Sequence, residues 1–190
     1  WAGARGALDA ALRRLAADPD VVAVVLTGAG GESFAAGADI REVATLEPRS
    51  AVAFAARGQR VFDLVERAPF VVWAAIDGYC MGGGLDLALS CDVRHASPRS
   101  VFAHPGARLG IVTGFGGTAR LARVVGRSRA VELFATARRI DAAEAAAIGI
   151  VDAIAADPVA SALESARRTA ERWPAAARWI KGSAMRWWRR

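Results

Sequence analysis

Apolar and polar positions follow two rhythms along this chain. Over 5–17 (RGALDAALRRLAA), Leu8, Leu12 and Leu15 recur at helical spacing, and Asp18-Pro19-Asp20 ends the run. Residues 21–27 (VVAVVLT) are then continuously apolar and rich in valine, the mark of a strand covered on both faces. The succession returns further on. Residues 48–67 read as a long helix opened at Pro48 and closed before Pro69, and FVVWAAI (70–76) as a second buried strand. LDLALSC (85–91) reads as a helix, and DVRHAS (92–97) and SVFAHP (100–105) as short strands. Residues 116–126, stopped by Gly126, and 127–136 read as two further helices. Residues 141–149 open on Asp141 with Glu144 three positions on, the signature of a capping box. VDAIA (151–155) is the last predicted strand, and 157–172 and 174–186 are the closing helices. Strands alternating with helices predict an α/β fold with parallel pairing.

Composition narrows the class. The chain has 190 residues, 54% hydrophobic and 23% charged, with mean hydropathy +0.24. That excludes disorder and allows one proper core. Net charge is +6 and the isoelectric point is near 10.8, with Lys181 the sole lysine and arginine supplying the rest. Such a balance suits a phosphate-bearing partner, although biased composition would produce it equally. Two cysteines, Cys80 and Cys91, are too few for a disulfide framework, and their apolar surroundings point to a reduced compartment. With no run of about 18 apolar residues and no signal-peptide pattern, a soluble cytoplasmic protein is expected. Two histidines make a zinc site improbable, and no metal is expected. Near the end, Trp173, Trp179, Trp187 and Trp188 mix with Arg178, Lys181, Arg186, Arg189 and Arg190. Interleaved aromatics and cations can contact nucleic acid or a membrane surface. The preferred reading is a terminal helix whose tryptophans pack on a partner subunit or on missing residues, so neither nucleic acid nor membrane is expected.

Candidate chemistry lies in two glycine-rich loops, each following a buried strand: Gly30 to Ile40 (GGESFAAGADI) and Gly78 to Asp86 (GYCMGGGLD). Glycine lets a ligand approach the backbone. Gly83 and Gly84 lead into a helix whose first amides have no intrahelical partner, which suits a phosphate or a developing oxyanion. No P-loop or dinucleotide fingerprint is present. Glu32 reads as a surface turn residue, and Asp77 and Asp92 as turn and cap residues.

Together, FAAGADI and GYCMGGGLDLALSCD, continued by FAHPGARLGIVTGFGGTARLARVVG and IGIVDAI, resemble the crotonase family, the enoyl-CoA hydratase/isomerase superfamily. The resemblance implies a crotonase-like ββα superhelix, with 1–155 as spiral core and 156–190 as a C-terminal helical segment of the same functional domain. It also implies that the chain lacks pieces of the family pattern at both ends. It implies an acyl-CoA substrate, no further cofactor, and a homotrimer or hexamer. Two backbone amides, those of Ala38 and Gly83, match the family's oxyanion hole, which stabilises an enolate. Ala36, Ala38, Asp39, Ile40 and Arg41 match the stretch along coenzyme A, with Gly83 at the thioester.

Family hydratases use two glutamates. Asp86 stands at the first position and is assigned the proton transfer. Gly106 stands at the second and carries no acid–base group. His104, two residues away, reads as a structural histidine before a proline. The alternatives implied are a single-carboxylate isomerase, another enolate-based reaction such as thioester hydrolysis or decarboxylation, and an inert acyl-CoA-binding homologue.

Overall fold

A computed structural model describes residues 2–173, 176 and 179–183. After α1 (Ala2–Ala17), the chain lays down β1 (Ala23–Thr27), β2 (Ser33–Ala35), a short α2 (Ile40–Ala44) and α3 (Pro48–Glu66). It continues through β3 (Val71–Ile76), β4 (Tyr79–Met81), α4 (Gly83–Ser90), β5 (Val93–Ala96), β6 (Val101–Ala103) and a 3₁₀ turn (Pro105–Leu109). Then come α5 (Gly117–Val125), α6 (Arg127–Thr136), β7 (Ile140–Asp141), α7 (Ala142–Ala147), β8 (Ala153–Ile154) and α8 (Pro158–Arg172).

These strands form two four-stranded sheets, ordered β1-β3-β5-β8 and β2-β4-β6-β7. Three times in succession the chain gives one strand to the first sheet, one to the second, and then turns back through helix. The expected ββα spiral is therefore present. Parallel pairing holds throughout except at the edge, where β7 runs antiparallel to β6.

Side-chain alternation in β3 explains why both faces are apolar. Val72, Ala74 and Ile76 enter the main core with Phe62, Val65 and Phe70. Trp73 and Ala75 point the other way and meet Ala162 and Ala166 of α8. Burying both faces rewards the continuous valine-rich runs seen in the sequence. The turns between the sheets are stitched by Arg99, which donates to the Asp77 carboxylate at 2.8 and 2.5 Å and to the Gly31 carbonyl at 2.5 Å.

Several predicted features take a different form. Short strands β2 and β4 lie inside stretches read as loops, and β7 was not predicted. Asp141 does cap α7, its carboxylate accepting the Glu144 amide at 2.8 Å. The reciprocal half of the capping box is missing, because Glu144 instead receives Arg138 at 2.6 and 2.9 Å.

The predicted helix 174–186 is helical where described at 179–183, and 174–175, 177–178 and 184–190 lie outside the described residues, with Arg178, Arg186, Trp187, Trp188, Arg189 and Arg190 among them. Trp173 and Trp179 are exposed. Lys181, read as part of a basic tail, is buried. Its Nζ donates to the carbonyls of Val65 (3.1 Å) and Phe70 (2.9 Å) and pairs with the Asp92 carboxylate at 2.7 Å. The chain beyond α8 is thereby pinned to the end of α3 and the start of β3. Lys181→Met should cost about 2 kcal/mol, since it leaves two carbonyls and a half-sheltered carboxylate without their cation. A urea titration would show the shift in midpoint.

Candidate active site

The two glycine-rich loops are pressed together. Gly37 has φ +97°, and a methyl there would lie 3.0 Å from the Met81 carbonyl and 3.1 Å from the Gly83 nitrogen. At Gly84, a methyl would overlap the Ala35 carbonyl outright. Close approach of these two backbones thus requires glycine on both sides. It brings the Gly37-Ala38 peptide beside the first residue of α4, whose amide has no partner within the helix. Ala38 is half-buried and Gly83 buried. Ala36, Asp39, Ile40 and Arg41 are exposed on the rim next to them. Asp39 spends one carboxylate oxygen on the Arg41 amide, at 2.9 Å, as the cap of α2.

Asp86 sits one turn into α4, fully buried. Its Oδ2 accepts the Thr113 hydroxyl. Burial pushes its pKa up to about 6, against the opposing pull of Thr113, the Arg120 charge and the amides of Gly117 and Phe115. A carboxyl group poised there can both take and return a proton near neutral pH. The segment holding Thr113 and Phe115 is itself anchored. Arg120 of α5 donates to the Phe115 carbonyl at 2.8 Å and to Asp63 and Glu66 of α3 at 2.9 Å each. The Phe115 ring covers Gly83 and rests on Phe54 and Phe62, with centroids 5.3 and 5.6 Å away.

Gly106 lies in the 3₁₀ turn after β6. A methyl there would come within 2.5 Å of the Ile111 carbonyl, and Ile111 closes the turn with a 3.0 Å bond to Gly106. This backbone excludes a longer side chain at 106. β6 ends at Ala103 and Pro105 opens the turn, so His104 lies between them outside the strand. Freed from the strand, His104 Nε2 lies 3.4 Å from Asp86 Oδ1. Burial lowers its pKa to about 4. Thr113, Arg120 and the nearness of His104 were not read from the sequence, because no local spacing links them to Asp86.

Cys80 and Cys91 are buried, and burial pushes both thiols up, Cys91 to about 12. That leaves them inert as nucleophiles at neutral pH. Among the described residues, no cluster of three His, Cys, Asp or Glu could hold a metal ion, and no helix is long and apolar enough to cross a membrane.

The pair has a pH signature. Raised above its unfolded value, the Asp86 pKa gives stability that is full in acid and lost as pH rises from about 4 to about 6. Lowered below its unfolded value, that of His104 gives stability lost as pH falls from about 6.5 to about 4. Each effect is about 3 kcal/mol, and the two oppose each other in the shared window. Urea stability of the native protein should therefore vary little from this pair between pH 4.5 and 6. In His104→Phe it should fall with rising pH, and in Asp86→Asn it should rise. Parallel pH slopes in all three proteins would contradict the assignment.

The site thus joins a spiral of paired sheets, a close junction of two glycine turns and a buried carboxyl group. Residues 4–189 match the enoyl-CoA hydratase/isomerase family model. The chain belongs to that family. It is 43% identical over 147 residues to a short-chain-enoyl-CoA hydratase of Clostridium acetobutylicum, covering 77% of this chain and 56% of that protein. It is 45% identical over 137 residues to a crotonyl-CoA hydratase of Syntrophomonas wolfei, covering 72% and 53%. The chain spans about half the length of these relatives. Among solved structures, an enoyl-CoA hydratase from Bacillus anthracis superimposes with TM-score 0.92 at 34% identity, over 97% of this chain and 72% of that one. The fold is crotonase-like.

Proposed function

We propose that this protein acts on acyl-CoA thioesters as an enzyme of the enoyl-CoA hydratase/isomerase type, through an enolate. The observation that carries the reading is the buried carboxyl of Asp86, titrating near 6, one helical turn from the junction of the Gly37-Ala38 loop and Gly83. In this reading the thioester carbonyl sits at that junction and accepts the amides of Ala38 and Gly83. Charge developing on its oxygen falls at the N-terminus of α4, where the dipole is favourable. Asp86 takes a proton as the electron pair it leaves moves toward the carbonyl, and later returns it. Ala36, Asp39, Ile40 and Arg41 form the rim for coenzyme A, with Arg41 offering charge to its phosphates. Coenzyme A arrives as part of the substrate, and no other cofactor or metal enters. The reading extends to a cytoplasmic homotrimer or hexamer, as in the family resemblance.

Within this class, the tight turn at Gly106 favours chemistry with one carboxylate, such as a double-bond shift, over two-carboxylate hydration. A panel of short 2-enoyl and 3-enoyl thioesters, followed by absorbance with product identification, tests both. Turnover of either supports the reading. Binding of coenzyme A with no turnover of any thioester would favour an inert acyl-CoA-binding protein.

A further inference from the structure

We propose that His104 is the positioning residue for Asp86, holding Oδ1 from one side while the Thr113 hydroxyl holds Oδ2 from the other. This rests on the reading of Asp86 as the proton-transfer group. The structure leaves Asp86 Oδ1 and both ring nitrogens of His104 buried without a hydrogen-bond partner. Such groups are rare and call for an explanation. The unpartnered oxygen and one of the unpartnered nitrogens face each other at 3.4 Å. That is longer than a formed hydrogen bond, as catalytic contacts commonly are before substrate binds. The imidazole is fixed from behind by Phe134 of α6, with ring centroids 4.7 Å apart.

The groups facing the pair come from four elements. Thr113 and the Phe115 and Gly117 amides precede or open α5, Arg120 lies on α5, Cys80 on β4, and Arg138 lines a small apolar cavity behind His104. Gly117 packs so closely on Oδ1 that a methyl there would overlap it, and the unpartnered Nε2 of His104 faces the same oxygen. With Asp86 ionised, Nε2–H donates to Oδ1 and stabilises the base. When Asp86 takes the substrate proton, the C–H electron pair passes into the enolate, the new O–H bond neutralises the carboxylate, and the imidazole remains neutral throughout.

The test uses His104→Phe, which keeps a ring on Phe134, and His104→Gln, which keeps a donor. In His104→Phe the acidic limb of kcat/KM should move up by about one pH unit, a tenfold change in proton affinity, with the melting temperature little altered. His104→Gln should bring the limb back. An unshifted limb in His104→Phe, or an equal shift in both variants, would overturn the proposal. A second readout does not need turnover. In His95→Gln, His104 is the sole imidazole, and its NMR shifts should step as Asp86 titrates near pH 6 and lose that step when Asp86→Asn is added. An absent step refutes the pairing. A step in a protein that turns over no thioester would refute the activity and leave the pairing intact.

Discussion

Asp86→Asn is expected to lower thioester turnover by about 10²–10⁴-fold, the range lost when a general acid–base group is removed. Asparagine keeps the shape and the bond to Thr113 but cannot take a proton. Its second expected effect runs the other way. At pH 7 the native carboxyl is above its pKa of about 6, so the fold carries a buried charge that Asp86→Asn removes. The variant should melt no lower than the native protein at pH 7, and binding of coenzyme A should be retained. Loss of activity with retained stability separates a catalytic carboxylate from a structural one. A variant that loses both together would place Asp86 among the residues that merely hold α4 to α5.

Arg120→Met should produce the largest fall in stability. Arg120 is 7% exposed and is the hub through which α5, α3 and the Phe115 segment are joined. Breaking a fully buried pair costs about 3–5 kcal/mol. Here the expectation is about 3, because Asp63 and Glu66 keep 43% and 22% exposure and regain water. For a chain of this size that corresponds to a drop of about 6–12 °C in melting temperature, measurable by calorimetry. Activity should fall as well, since the segment that Arg120 anchors carries Thr113 against Asp86. An unchanged melting temperature would show that the ion-pair cluster is solvated and contributes little.

Much of the architecture was legible because burial on both faces leaves a mark in composition. The runs 21–27 and 70–76 announce β1 and β3, and the helical spacing in 48–67 announces α3 nearly to the residue. The second sheet left almost no mark. β2, β4 and β7 are two or three residues long, too short for a period to show, and two of them sit among glycines whose purpose is close backbone contact rather than side-chain burial. The junction at Ala38 and Gly83 was reached through its resemblance to a family, and the glycine contacts supply the physical reason for that spacing. The surroundings of Asp86 were not legible. Thr113, Arg120 and His104 come from three other segments, and each has an ordinary local explanation. His104 follows the last residue of β6 and precedes Pro105, so no strand period says which way its ring turns. The capping box at Asp141 failed on its second half because Arg138, reached only through the fold, competes successfully for Glu144.

The central claim is that the junction of the two glycine turns stabilises an enolate whose proton is handled by Asp86. Hydrogen exchange at the substrate α-carbon tests this without assuming hydration or isomerisation. A saturated short acyl-CoA incubated with the protein in heavy water would be followed by mass spectrometry. The native protein should introduce deuterium at the α-carbon, and Asp86→Asn should introduce it about 10²–10⁴-fold more slowly. Thioester that binds yet gains no deuterium from the native protein, or that exchanges equally fast with Asp86→Asn, would contradict the account.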